Sequence, residues 1–193
     1  MQTICVFCGS SPGVKHEYAV GARELGCVLA KKNINLVYGG GRVGLMGMVA
    51  DAALAAGSKV TGIIPRSLAD KEIAHQGLTD LRIVTTMHER KAMMSELSDG
   101  FIAMPGGFGT LEELFEVVTW AQLGIHTKPF GLLNVAGYYD GLISFLDHSV
   151  EQGFVPLRHR EMIIVSDDAE ELVELLAAYR PIPEEKWLSS RQT

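Results

Sequence analysis

Short runs of β-branched and aromatic residues alternate with longer stretches of helical spacing along the whole chain. Ile4 to Cys8 reads as a strand, and His16 to Lys32 as a helix with Ala19, Ala22, Arg23, Gly26 and Ala30 at helical intervals. Ile34 to Tyr38 is a second strand and Leu45 to Ala56 a second helix; Lys59 to Ile64 is a third strand, stopped by Pro65. Leu81 to Val84 and Phe101 to Met104 continue the strands, each followed by a helix, over Met87 to Leu97 and Thr110 to Leu123. Phe130 to Leu133 and Met162 to Val165 complete them, with helices at Tyr139 to Gln152 and Asp168 to Tyr179. Strand–helix alternation of this kind predicts an α/β fold: a Rossmann-like, doubly wound, mainly parallel sheet with helices on both faces. No linker divides it, so residues 1–180 read as one domain. The polar stretch 181–193 reads as a C-terminal arm with partial disorder.

Composition narrows the chemistry. Seventeen Lys and Arg against 23 Asp and Glu give a net charge of −6, with no basic run, which argues against a nucleic-acid polymer as partner. Three cysteines cannot build a disulfide framework. The start, Met1-Gln2-Thr3-Ile4-Cys5-Val6, has no basic leader, and no apolar stretch reaches the ~18 residues of a membrane span. A soluble cytoplasmic protein is the expectation.

Glycine is in excess, at 21 of 193 residues, or about 11% against a usual ~7%. Much of the excess falls where strands lead into helices: Gly9 and Gly13, then Gly39, Gly40, Gly41, Gly44 and Gly47, then Gly106, Gly107 and Gly109. In an open parallel sheet that edge is where ligands bind. Gly39 to Gly44 matches G-x-G-x-x-G, but no carboxylate follows about 20 residues on, where a dinucleotide site expects one. A tight structural turn, a mononucleotide or sugar-phosphate contact, and a dinucleotide site all remain open from this motif.

Pro105-Gly106-Gly107-Phe108-Gly109-Thr110-Leu111-Glu112-Glu113 is more distinctive. Three glycines before a helix leave bare N–H groups at its positive end, a ready anion site. The apolar face expected for that helix is Leu111, Leu114, Phe115, Val118 and Ala121. Thr110-x-x-Glu113 also fits a capping box, in which the glutamate only ties off the helix start. If Glu113 is catalytic, the helix N-terminus favours its ionised form, as a base or as an anion facing positive charge. His88-Glu89-Arg90-Lys91 opens the preceding helix, with Arg90 in line with Met93, Met94 and Leu97. Its cations fit an anionic ligand, or simply a solvated charged turn.

Other chemistries find no support. Cys5-Val6-Phe7-Cys8 has C-x-x-C spacing, but on a strand its two thiols face opposite ways, which suits buried thiols better than a redox pair. His88-Glu89-x-x-Ala92 fails the zinc H-E-x-x-H pattern, so no metal is expected. There is no G-x-S-x-G elbow, and Leu45 stands where a Walker lysine would follow Gly44.

Together, Pro105-Gly106-Gly107-x-Gly109-Thr110-x-x-Glu113 and the upstream Arg90-Lys91 pair resemble the LONELY GUY (LOG) family. These are cytokinin riboside 5′-monophosphate phosphoribohydrolases, often described as possible lysine decarboxylases. The likeness runs from Phe7-Cys8-Gly9-Ser10-Ser11 through Tyr38-Gly39-Gly40-Gly41 and Gly44-Leu45-Met46-Gly47 to Thr119-Trp120-Ala121-Gln122-Leu123-Gly124. It implies hydrolysis of the N-glycosidic bond of N6-modified adenosine monophosphates, and often of AMP, to free base and ribose 5-phosphate. It further implies that Arg90 and Glu113 are catalytic, and that Glu72, Lys91, Thr119 and the turn Gly107, Phe108, Gly109, Thr110, Leu111 and Glu112 bind substrate. Gly9, Ser10, Gly40 and Gly41 are candidate phosphate or ribose contacts. The family is at least dimeric, and its site draws on the neighbouring subunit.

The residues agree with that chemistry. Nucleoside cleavage passes through an oxocarbenium-like sugar, which an ionised Glu113 could stabilise while orienting the attacking water. Arg90 could hold phosphate or the departing base, and the glycine turns the 5′-phosphate. No cofactor is called for: a decarboxylase would need a pyridoxal-phosphate lysine, and none stands in a recognisable context. The alternative is a non-catalytic mononucleotide-binding sensor or carrier of the same fold. A nicotinamide oxidoreductase is disfavoured by the missing ribose-binding acid.

Overall fold

The computed structural model describes residues 1–69 and 74–181. In order the chain forms β1 (Thr3–Phe7), α1 (His16–Lys31), β2 (Asn35–Tyr38), α2 (Gly44–Ala55), β3 (Val60–Pro65), α3 (Arg66–Leu68) and β4 (Asp80–Val84). There follow α4 (Met87–Glu96), β5 (Gly100–Ala103), α5 (Phe108–Gln122), β6 (Phe130–Leu133), a 3-10 turn (Val135–Gly137), α6 (Asp140–Glu151), α7 (Leu157–Arg160), β7 (Ile163–Ser166) and α8 (Ala169–Ala178). Every strand and long helix expected from the hydrophobic spacing is present, with ends displaced by one or two residues. The short α3 and α7 and the 3-10 turn carry too few residues for a periodic signal. Glu72 and the proposed arm beyond Pro181 lie outside the described residues.

The strands form one seven-stranded sheet in the order β4-β3-β2-β1-β5-β6-β7, and all its pairings are parallel. Alternation along β1 divides the core. Ile4 and Val6 pack under α1, α2 and α8, whereas Cys5 and Phe7 pack under α4, α5 and α6. Each face thus buries the apolar stripe of a helix layer, as a doubly wound fold requires. The α1 stripe is Tyr18, Ala22, Leu25 and Leu29; Arg23, which fits the spacing, is exposed.

The chain winds outward from β1 to β4, then returns to place β5 on the other flank of β1. The strand order therefore reverses between β1 and β5, and the crevice at their carboxyl ends is where such sheets bind ligands. Gly9 leaves β1 and Pro105-Gly106 leaves β5 at that point, joined by Gly9 N donating to Pro105 O at 3.0 Å. No described helix is long and apolar enough to cross a membrane.

Candidate active site

Helix α5 begins two residues earlier than its apolar spacing suggests. Gly107 is its N-cap, without a side-chain cap, and Leu111 N closes the first backbone bond onto Gly107 O at 3.1 Å. Thr110 therefore lies inside the first turn, and Glu113 a turn further on. The Thr110–Glu113 capping box is not formed. The box stands instead at α4, where Thr86 accepts from Glu89 N at 3.1 Å and the Glu89 carboxylate accepts from Thr86 N at 3.3 Å. The buried face of α5 is Thr110, Glu113, Leu114, Val117 and Ala121, a stripe rotated from the expected one. That rotation points Glu113 inward, and among the described residues no side chain caps the helix start, where the N–H groups of Phe108, Gly109 and Thr110 suit an anion.

Arg90 meets Glu113 from α4. Its Nη1 donates to Glu113 Oε1 at 2.5 Å, and its Nε to the Ile63 carbonyl of β3 at 3.1 Å, both in buried surroundings. The room for this guanidinium comes from Gly39, where a Cβ would collide with Arg90 Nη2. Burial pushes the Glu113 carboxyl above its ordinary range, and the Arg90 charge pulls it part of the way back. Because Glu113 lies beyond the first turn, the helix terminus expected to favour its ionised form does little for it, and Arg90 is what holds that form against desolvation.

The pair lies in a cavity of about 380 Å³ over the β1–β5 crevice. Of the residues expected at the site, Arg90, Glu113, Gly9, Ser10, Gly41, Gly107, Phe108, Gly109 and Thr110 line it. Gly40, Leu111, Lys91, Glu112 and Thr119 do not. Gly40 uses its carbonyl to accept from His75 N at 2.9 Å, and Thr119 donates its hydroxyl back to Phe115 O at 2.6 Å. Lys91 is bound between Glu112 and Glu116 of α5, with Nζ to Glu116 Oε1 at 3.0 Å. Among the described residues, and apart from chain neighbours and the helix's own backbone, nothing lies within 4 Å of where a Cβ would stand on Gly107 or Gly109, so packing against those residues does not require the glycines. What they leave is approachable backbone.

Sequence reasoning did not single out Met46, Ile64 and Leu68, which give the cavity an apolar wall, nor Cys8 as a lining residue. The step from β3 into α3 that carries Ile64 and Leu68 has no helical period to betray it. Cys5 and Cys8 do fall on opposite faces, in the two separate cores, and both are free thiols. Burial, reinforced by Glu113, pushes the Cys8 thiol far up, so it stays protonated and is no nucleophile. Among the described residues no cluster of potential metal ligands occurs.

Comparison with known proteins fits this geometry. The model of the family described as "Possible lysine decarboxylase" matches residues 46–176. Cytokinin riboside 5′-monophosphate phosphoribohydrolase LOG3 of Arabidopsis thaliana is 54% identical over 181 residues, covering 94% of this chain and 84% of that protein. The probable enzyme of the same name LOGL6 of Oryza sativa subsp. japonica is 51% identical over 189 residues, covering 95% and 76%. Among solved structures, the molybdenum cofactor carrier protein of Chlamydomonas reinhardtii superposes with a TM-score of 0.70 at 23% identity, covering 92% of this chain and 99% of that one. At that identity the likeness concerns the fold alone. With half its residues shared over nearly its full length, this chain belongs to the LOG family.

Proposed function

We propose that the protein is a hydrolase that cleaves the N-glycosidic bond of adenosine 5′-monophosphates, N6-modified or not, to free base and ribose 5-phosphate. The relatives named above are phosphoribohydrolases of this kind, at 54% and 51% identity. The observation that carries the reading is the meeting, in one cavity, of a bare helix N-terminus with a buried Arg90–Glu113 pair. The first is suited to a phosphate dianion, the second to a developing sugar cation and its leaving group.

The 5′-phosphate accepts from the first-turn N–H groups of α5, beside Ser10 and Gly9. Phosphate binding there fixes the ribose over Glu113, and such positioning contributes directly to lowering the barrier. As the C1′–N9 bond breaks, its electron pair leaves with adenine and positive charge grows on the ribose. The Glu113 carboxylate stabilises that charge and takes a proton from the water that adds to C1′; its later release to solvent balances the proton that the departing adenine anion takes up to become free base. Arg90 has already committed Nε and Nη1 within the protein, so its remaining N–H groups are the donors offered to the departing base. Met46, Ile64 and Leu68 face the apolar part of the base and its substituent.

The lining does not fit pyridoxal phosphate, which a lysine decarboxylase would use. None of the described lining side chains is a lysine, and Lys91 is held by two carboxylates outside the cavity. Lys91, Glu112 and Thr119 instead share the outer side of the α4–α5 pair. In a homodimer or higher assembly they serve a site near the subunit interface, and Phe108, 94% exposed at the cavity mouth, is covered there. Residues 1–180 act as the one catalytic domain of each subunit.

Incubation of the purified protein with AMP and with isopentenyl-AMP, followed by chromatography for free base and ribose 5-phosphate, tests the reading. Release of base from the monophosphates but not from the unphosphorylated ribosides is expected. Tight AMP binding without turnover would turn the assignment to a nucleotide-binding sensor or carrier.

A further inference from the structure

The turn that presents the first N–H groups of α5 is held from behind by its carbonyls. Three successive carbonyl oxygens lead into it, and each has its own donor. Tyr139 Oη donates to Met104 O at 2.5 Å, Gly9 N to Pro105 O at 3.0 Å, and Tyr138 Oη to Gly106 O. Two of the three tethers are phenol hydroxyls from adjacent residues.

Local geometry brings both rings to one place. Ala136 and Gly137, at φ 52° and 72°, take successive left-handed conformations and reverse the chain ahead of α6. Asn134 then fixes the reversal, accepting from Tyr139 N at 2.7 Å and donating to Asp140 Oδ1 at 2.7 Å. The Tyr138 ring stands edge-on to Tyr18, with centroids 5.7 Å apart, and to Tyr139, at 4.9 Å. Two edge-on contacts therefore orient a ring that stays 41% exposed, and the Gly106 carbonyl holds its hydroxyl.

Tyr138 stands on the far side of the turn from the catalytic pair. It lines a second cavity of about 330 Å³, walled also by Tyr18, Leu45 and Pro105. Gly9, Ser10 and Gly107 line both cavities, so the turn is the partition between them. The described peptides are all trans, and across a trans peptide the C=O and N–H point in opposite directions. With Gly106 O turned to Tyr138, Gly107 N–H is turned away from the ring that lines the side cavity.

We propose that Tyr138 is a positioning residue for the substrate phosphate, acting through the Gly106–Gly107 peptide. Resting on the reading that this turn holds the 5′-phosphate, the inference adds what holds the turn. The hydroxyl fixes the peptide with its donor toward the anion, and a hydrogen bond to the carbonyl polarises the N–H on the other end. Without that hydroxyl the peptide rocks, and its carbonyl lone pairs gain access to the place meant for negative charge.

The variant Tyr138→Phe removes one oxygen atom and keeps the ring. Steady-state kinetics with AMP and calorimetric titration with ribose 5-phosphate read its effect. Loss of one ordered donor of this strength is expected to raise KM for AMP and Kd for ribose 5-phosphate about fivefold to tenfold. The expected kcat stays within about twofold, since the reacting atoms are untouched. Tyr18→Phe, in the wall of the same side cavity, is expected to leave both constants as in the wild type. Equal ribose 5-phosphate affinity in wild type and Tyr138→Phe overturns the tyrosine's role alone. So does a fall in kcat with KM unchanged. A wild-type protein that neither cleaves AMP nor binds ribose 5-phosphate overturns the parent reading, and this inference with it.

Discussion

Two cation–carboxylate pairs tie α4 to α5, and they are one residue apart on each helix. Arg90 meets Glu113, and Lys91 meets Glu112 together with Glu116. One residue is about 100° of rotation, enough to turn the first pair into the cavity and the second onto the outer side. Glu113 is buried, while the Glu112 side chain is 55% exposed. Two charges taken out of water seldom stabilise a fold over an apolar alternative of the same volume. On the proposed reading the inner pair serves the chemistry, and the outer one joins two helices beside the interface it is proposed to serve. Its lysine is held by both carboxylates, whose attraction outweighs the burial that opposes its charge, so its pKa moves up.

The largest effect that separates the pairs is expected from Glu113→Gln. The amide keeps a hydrogen-bond acceptor for Arg90 but removes the anion and the base. A loss of about 10²- to 10⁴-fold in kcat on AMP is expected, with the fold intact by circular dichroism. Wild-type turnover in this variant would sink the catalytic role of the inner pair.

Gly39→Ala is expected to come next. A Cβ at Gly39 would overlap Arg90 Nη2, and Met46 Sδ lies 3.3 Å from the same point, so the guanidinium must shift by the order of an ångström. Misplacement on that scale costs roughly 10²-fold in rate. An unchanged kcat would show that the Arg90 pose does not matter to the reaction.

Both variants depend on positions that the sequence revealed unequally. The alternation of strands and helices was legible because each element is amphipathic over one or two periods, and the glycines mark the edge where the cavity opens. What periodicity could not supply was the rotation of α5 about its axis. Leu111, Phe115 and Val118 suggested one buried stripe, and tertiary packing chose Thr110, Glu113 and Val117. That choice decides whether Glu113 caps a helix or enters a cavity, because the Thr110–Glu113 spacing satisfies both patterns. The true capping box, at Thr86 and Glu89, has the same Thr-x-x-Glu spacing as Thr110–Glu113, so spacing alone does not tell the two apart. Met46, Ile64 and Leu68 were hidden for another reason. An apolar residue that lines a cavity has the same sequence signature as one in a core, and only the path of the chain after β3 tells them apart.

A smaller effect concerns pH. Burial lifts the Glu113 carboxyl and Arg90 only partly offsets it, so the group takes its proton at a higher pH than an exposed glutamate does. As pH falls through that raised value the anion is lost, and kcat/KM falls with it. The acid limb of the profile on AMP is therefore expected above the ordinary glutamate value of about 4.3. It should be absent from the residual activity of Glu113→Gln. A limb at or below the ordinary value would mean that Arg90 outweighs desolvation at the inner pair.

The smallest effect is expected at the outer pair, in Glu116→Gln. Glu116 touches Lys91 but does not line the cavity, and Lys91 keeps Glu112 when Glu116 is neutralised. One partly exposed partner of a cation with a second carboxylate is worth about 0.5–1 kcal/mol. Chemical denaturation should show a loss of that size, changed little by salt because Lys91 is buried and Glu116 mostly so. Turnover of AMP should stay within about twofold of wild type. A fall in kcat comparable with that of Glu113→Gln would erase the distinction between the pairs. It would mean that the seat of Lys91 on α5, and not only the Arg90–Glu113 contact, sets the geometry of the reacting groups.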